Sequence, residues 1–195
     1  LLDMRREPPF QNVMRSYRLV GEGLEGSAAL VCNIEGPVTK AALLRGMENL
    51  ALDMFFDKDL ASRYVDYATD LSLEYLKVID SQADLDCCFL ASASDNPDIF
   101  GGEAFLRFTV PNLRRLKEAS AVLGLPTIFH PHGDLSSPEN LPLMENVIAT
   151  GLEGFQFAER NDHMALRRAF GKRITLMGGI DAFSTLLLGP VERIV

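Results

Sequence analysis

The sequence predicts an α/β fold forming part of a parallel (β/α) barrel, and three observations carry that expectation. Five short apolar runs alternate with stretches of helical periodicity along most of the chain, as they do where parallel strands are joined by crossover helices. Each run ends in polar or glycine-rich sequence: Glu35, Ser92 to Asp95, His130 to Asp134, Glu159, and Gly178-Gly179-Ile180-Asp181. In a barrel such ends converge around one mouth, whereas the competing architecture, an open doubly wound sheet, binds its ligand at a crevice where the strand order reverses. Third, no G-x-G-x-x-G follows any run, so a Rossmann dinucleotide site has no support.

The elements follow in chain order. Residues 1–27 hold two early prolines, four glycines or serines near their end and little periodicity, and read as a connector with one helical turn. The partial barrel domain then runs over residues 28–195. "SAALVCNIEG" (27–36) is an apolar run stopping at Glu-Gly-Pro, a buried strand ending in a turn. Leu43, Leu44, Met47, Leu50, Ala51, Met54 and Phe55 recur at helical spacing, and after Asp57 a second stripe runs through Leu60, Tyr64, Ala68, Leu71, Tyr75 and Ile79.

"CCFLAS" (87–92) is the next strand, followed by a helix with Leu113, Leu116 and Leu123 on one side and Gly124 as its stop. "TIFHPH" (127–132) leads to Ser137-Pro138, a cap and first-turn proline, and a helix through Leu141, Met144, Val147 and Ile148 to Gly151. "GFQFA" (154–158) precedes Asn161-Asp162 and a helix ending at Gly171. "ITLMGGI" (174–180) is the last strand, and "GPVERIV" reads as the opening of a further helix.

Composition bounds the function. At 195 residues, 47% hydrophobic and 24% charged, the chain can bury a sizeable core. Its net charge of −8, with no Lys/Arg block to follow a phosphate backbone, argues against nucleic acid as a partner. No apolar run approaches the roughly 20 residues that span a bilayer, and "LLDMRREPPF" lacks the order of a signal peptide, so a cytoplasmic protein with no membrane partner is expected. Cys32, Cys87 and Cys88 are odd in number and two are adjacent, which suits reduced, buried thiols better than a disulfide framework. A thiolate ligand from Cys32 stays open at this point.

The chemistry-bearing motif is "IFHPHGD", residues 128–134. On a strand, His130 and His132 face the same side and Pro131 the other, so both imidazoles point into the barrel mouth. Pro131 biases His130 towards extended backbone and removes a ladder donor where strand gives way to loop, and Gly133 permits a tight turn. Two neutral imidazoles supply two nitrogen ligands for zinc; a complete site needs a third protein ligand and an open position. The alternative is that the rings bind strand-end carbonyls or a substrate carboxylate. Asp134 is either a partner orienting a ring nitrogen or a turn residue, and His163, at a helix start, is expected to be exposed.

Taken in order, these segments resemble the uroporphyrinogen decarboxylase superfamily, which includes corrinoid-linked methyltransferases. "IEGPVTKAALLRGMENLALDMFFD" resembles the family's strand, Gly-Pro-x-Thr turn and long helix, and "FLASASDNPDIFGGEAFLRFTVPNLRRL" its Ala-Ser segment and following helix. "IFHPHGD" is similar to the methyltransferase H-x-C-G motif, and "LMGGIDAFSTLLLGPVERIV" to the Gly-Asn-(Val/Ile)-Asp and Leu-x-x-Gly-x-x-Glu-x-(Val/Ile) signature.

The resemblance implies a (β/α)8 barrel of which this chain supplies about strands three to seven. An incomplete barrel exposes strand edges and half its core, so a fragment, or completion by another chain, is expected; a homo-oligomer is one form of that. The resemblance also implies a zinc-dependent corrinoid-linked methyltransferase or demethylase. His130 maps to the motif's first zinc ligand and His132 to its cysteine, with a further cysteine ligand on the eighth strand. A methylated corrinoid would be the co-substrate, a corrinoid protein a partner, and a small molecule the acceptor, while Glu35 or Asp181 would complete the metal shell or hold substrate unless they are strand-end caps.

The alternative implied is a decarboxylase of uroporphyrinogen or a similar polycarboxylate, with no cofactor and with the histidines and Ser92 or Ser94 binding carboxylates. A tyrosine that decarboxylases carry after the Gly-Pro turn has no counterpart near Ala42. A second alternative is a non-catalytic barrel piece acting through its exposed edges as an interaction module.

Overall fold

The computed structural model of the protein describes residues 3–193. Five strands, β1 (Val31–Glu35), β2 (Cys87–Ser92), β3 (Thr127–Pro131), β4 (Gly154–Phe157) and β5 (Thr175–Gly178), form one sheet in the order β1-β2-β3-β4-β5. Every neighbouring pair is parallel. Strand order identical to chain order, with no reversal, means that each crossover steps in the same direction. That is the winding of a barrel, and the doubly wound alternative, which requires a reversal point, is excluded.

Helices cover one face. Residues of alternate strand positions (Cys32, Ile34, Cys88, Leu90, Phe129, Phe155) are fully buried against Leu76 and Ile79 of α4 (Lys58–Asp80), Leu113 and Leu116 of α6 (Val110–Val122), Met144 and Val147 of α7 (Leu141–Ile148), and Leu166 and Phe170 of α8 (His163–Phe170). Each such Leu or Phe contributes about 1.5–3 kcal/mol by leaving water. The other face is the barrel interior. Its register rows include Glu35, Ala91 and His130 across β1–β3, and Gln156 with Met177 across β4–β5.

Four local expectations are corrected. Most of the predicted connector is a helix, α1 (Pro8–Leu24), opened by its two prolines and closed by Glu25 in the left-handed region at φ 47°. Val13, Met14 and Tyr17 of α1 lean on the main core, and the Tyr17 hydroxyl accepts the N–H of Asn33 on the β1 edge. No α1 residue is fully buried, and its short apolar stripe, Phe10, Val13, Met14 and Tyr17 at helical spacing, is flanked by the prolines and glycines that made the segment read as a connector.

The single helix expected over residues 43–55 is broken at Gly46 (φ +85°) into α2 (Pro37–Arg45) and α3 (Met47–Phe56). Its inward residues are Val38, Ala41, Ala42, Leu50 and Met54, packed on Ala61, Val65, Ala68 and Phe108. Leu43 and Phe55, read as part of the buried stripe, are 73% and 77% exposed. The periodicity was genuine, but small residues won the core face because α2 and α4 approach closely.

α7 starts at Leu141, after a turn over Ser137 to Asn140 closed by the Leu141 N–H donating to the Ser137 carbonyl. Finally, α5 (Pro97–Ala104), kinked at Gly101, and a π-helical turn, Phe105–Thr109, precede α6 where one helix was read.

Candidate functional site

The mouth is assembled at the C-terminal ends of the strands, in a cleft of about 760 Å³ lined by residues that include Asn96, Asp98, His130, His132, Gln156, Glu159, Arg160 and Gly179. His130 and His132 share one wall, their ring centroids 4.9 Å apart and edge to face. His130 is half-buried, stacked 5.6 Å from Phe89, and His132 is exposed.

The His130 Nδ1 lies 3.0 Å from the backbone oxygen of Gln156. A carbonyl only accepts, so Nδ1 carries the proton and donates, and the lone pair is left on Nε2. A backbone carbonyl behind the ring is also the arrangement that orients imidazole ligands and raises their basicity. The pair thus fits two neutral nitrogen positions of a zinc site. Among the described residues, no group of three His, Cys, Asp or Glu side chains is placed to hold a metal ion.

The loop carrying these rings is fixed from three sides. Asn161, buried in the loop after β4, accepts the N–H of Leu135 (2.9 Å) and donates to the carbonyls of Gly133 (3.1 Å) and Ala158 (3.0 Å). Asp98 accepts the N–H of Asp134 at 2.9 Å, and the Ser136 hydroxyl accepts that of Asp162 at 2.7 Å. Gly133 is required for contact rather than for a turn: a Cβ there would lie 2.6 Å from the Asn96 Cβ. Asp134 accepts from the Ser136 N–H and hydroxyl, so it is a turn residue and does not touch the histidines.

The remaining predicted residues stand apart from this pair. Glu35 shares the interior row with His130, two strands away, and pairs with Lys40 at 3.3 Å. Asp181 accepts the N–H groups of Phe183 and Ser184, both at 2.8 Å, and the Ser184 hydroxyl, which holds its carboxyl below the usual range. It caps the π-helical turn Ala182–Leu187. Ser92 is fully buried under Gly36, its hydroxyl donating to the Leu90 carbonyl at 3.4 Å, and buried Ser94 donates its N–H to Thr39. Neither serine lines the cleft.

Cys32 faces the helix-covered core, and burial pushes its thiol up to about 11, so it presents no thiolate to the mouth. His163 is exposed as expected, yet its ring sits 4.8 Å from Phe157 and behind Gly179.

Sequence reasoning gave no site role to Asp95, Asn96, Gln156 and Asn161, although Asp95 and Asn161 stood in polar segments it named at a strand end and a helix start. Asp95 is wholly buried in the loop after β2, against Gly36, accepting the N–H of Val38 (2.8 Å) and Thr39 (3.0 Å) and the hydroxyls of Thr39 (2.7 Å) and Thr109 (3.3 Å). It satisfies the first amides of α2 from the neighbouring strand's loop, a capping bond made across 57 residues of chain. Only the "DN" and "ND" pairs beside helix starts hinted at polar residues of this kind.

No helix among the described residues is long and apolar enough to cross a membrane. The chain is 25% identical over its whole length to methylcobamide:CoM methyltransferase MtaA of Methanosarcina barkeri, covering 54% of that protein. It is 26% identical over 171 residues to a methylated-thiol–coenzyme M methyltransferase of Methanosarcina mazei, covering 44% of it. It therefore spans about half the length of the curated relatives it matches. In structure, all of it superposes on 55% of a methyltransferase from Methanosarcina mazei, with a TM-score of 0.84 at 22% identity, which establishes the barrel arc. The family model for uroporphyrinogen decarboxylase matches residues 2–195. By that match, and with its five sequentially wound strands and polar mouth, the chain belongs to the uroporphyrinogen decarboxylase family.

Proposed function

We propose that this chain forms the central arc of a corrinoid-linked methyltransferase whose zinc would be held by His130 and His132 together with a ligand from outside the described residues. The observation that carries the reading is the His130 Nδ1–H donated to the Gln156 carbonyl, which leaves Nε2 free in the cleft wall beside His132. When bound, zinc would supply Lewis acidity that favours the anionic form of a thiol or of a leaving oxygen.

The chain's own residues prepare the site. The Gln156 carbonyl holds the His130 ring in one tautomer, and Asn161 and Asp98 hold the loop that bears His132. A thiol acceptor seated against the two rings would release its proton to solvent in the open cleft; its sulfur would then form the bond to the methyl carbon as the methyl–cobalt bond of the corrinoid breaks, with that electron pair remaining on cobalt. A corrinoid protein would be the partner that delivers the methyl group. The decarboxylase alternative draws less support, because Ser92 and Ser94, its carboxylate binders, are buried and bonded elsewhere.

The test is zinc content and methyl transfer from methylcobalamin to a thiol, measured on the protein in its full natural length. About one zinc per chain is expected, with metal and activity both reduced about 100-fold or more in His130→Ala. A metal-free protein that transfers methyl groups at the same rate with and without His130 would refute the reading.

A further inference from the structure

The outer side of α2 and α3 carries more apolar surface than a solvent-facing helix pair needs. Val38, Ala41, Ala42, Leu50 and Met54 pack inward on α4 and Phe108, which leaves Leu43, Leu44, Met47, Leu52, Phe55 and Phe56 exposed. At their fractional exposures these six residues offer roughly 700 Å². The largest apolar patch of an ordinary monomer is about 300–600 Å², and each partner in a standard interface contributes about 800 Å². None of the six lines the cleft of His130 and His132.

Two features of this side are complementary in shape. Phe56 is 75% exposed, its ring edge to face with that of Phe55 at a centroid distance of 4.8 Å. Phe55 forms one wall of a groove of about 390 Å³, completed by Ala51 and Met54 of α3, Phe100 of α5 and Phe108 of the π-helical turn; Phe56 is not part of that lining. A protruding aromatic ring beside an aromatic-walled groove is self-complementary under a two-fold axis, because the ring of each copy can then enter the groove of the other. A buried aromatic in a fitted pocket is also the commonest kind of interface anchor.

The charges favour the same occupant. A net charge of −8 makes two copies repel at long range, so they meet most easily where charge is already neutralised. On this side Arg45 pairs with Asp53 at 2.7 Å, Lys58 with Glu103 at 2.6 Å and Arg107 with Asp59 at 3.5 Å, all within one copy. None of these three cations is left to recruit an acidic partner, and apolar fit does the selecting.

We propose that a second copy of this chain docks on the outer side of α2 and α3, through a two-fold interface in which Phe56 of each copy fills the groove between α3 and α5 of the other. The contact lies on the helical outside of the barrel arc and does not depend on the methyl-transfer reading.

Sedimentation equilibrium of the full-length protein tests this. The mass should level off at an even number of chains as concentration rises. Phe55→Ser/Phe56→Ser should raise the dissociation constant of the pair about 100-fold or more, the scale of losing two aromatic anchors, with an unchanged circular dichroism spectrum. Val122→Ser, an equally exposed apolar position at the end of α6, should leave it unchanged. Phe56→Trp keeps an aromatic anchor, so it should retain the dimer, and its added fluorescence should shift to the blue over the concentration range in which the pair forms. A protein that stays monomeric at every concentration, a dimer that survives Phe55→Ser/Phe56→Ser, or a Phe56→Trp emission that stays that of a solvent-exposed indole in the dimer would each overturn the proposal.

Discussion

Gly36 and Asp95 meet so closely that a Cβ at position 36 would lie 2.2 Å from the Asp95 Oδ2, and 2.1 Å from the Ser92 hydroxyl. The turn after β1 can therefore reach its capping carboxylate only because residue 36 has no side chain. Gly36→Ala is expected to destabilise the fold by about 1–3 kcal/mol or more, the cost of overpacking a closed site. A shift in the midpoint of urea unfolding with unchanged slope would measure it.

Asp95 itself links stability to pH. Burial raises its carboxyl above the ordinary 3.8, against the opposing pull of its bonds from Thr39, Val38 and Thr109. A raised value means that the folded state keeps the proton at a pH where the unfolded chain has lost it. The contribution is complete below about 3.8 and is lost as pH rises through the folded value. Lowering the pH from 7 towards 4 should therefore stabilise the wild-type protein relative to Asp95→Asn, which has no such proton. A stability difference that stays flat over that interval would show that Asp95 does not titrate there.

The His130 ring should be a single tautomer. Nitrogen-15 shifts of the imidazole should place the proton on Nδ1 near neutral pH, as the 3.0 Å bond to the Gln156 carbonyl requires. A protonated Nε2 in the neutral ring would reverse the assignment of the ligand nitrogen.

Asn161→Ala should loosen the histidine loop, because it removes the acceptor for the Leu135 N–H and two donated bonds at once. The stranded buried amide alone costs about 1–3 kcal/mol. Amide exchange at Leu135 should accelerate more than exchange in β2, which distinguishes local loosening from global destabilisation.

The 195-residue chain in isolation should self-associate. On β5 and the turn that follows it, Met177, Ile180, Phe183 and Leu187 are all exposed apolar residues, and among the described residues β5 pairs only with β4. Such an edge is a template for further pairing. Light scattering should show mass rising with concentration, and a strict monomer at all concentrations would contradict it.

The sequence by itself determined the strands and their polar ends. β2 is the run "CCFLAS" to the residue, and β1, β3, β4 and β5 lie within the predicted runs. Strand character depends on near neighbours and on the stops that bound them, so it is readable locally. It also placed both histidines on one side, because i and i+2 on a strand share a face whatever surrounds them, and the structure keeps them together in the cleft.

Tertiary structure decided which face was covered and what each polar side chain was bonded to. Ser92 and Glu35 looked equivalent as strand-end polar residues, yet one is sealed beneath Gly36 and the other faces the interior. Leu43, expected on the buried stripe, is exposed while its neighbour Ala42 is buried, because the close approach of α2 and α4 admits only small side chains. Asp95 became a cap for a helix 57 residues earlier, and Asn161 a clasp on a loop 28 residues away. Such bonds join groups that only the folded sheet brings within 3 Å or so of each other, so no spacing along the chain could have announced them.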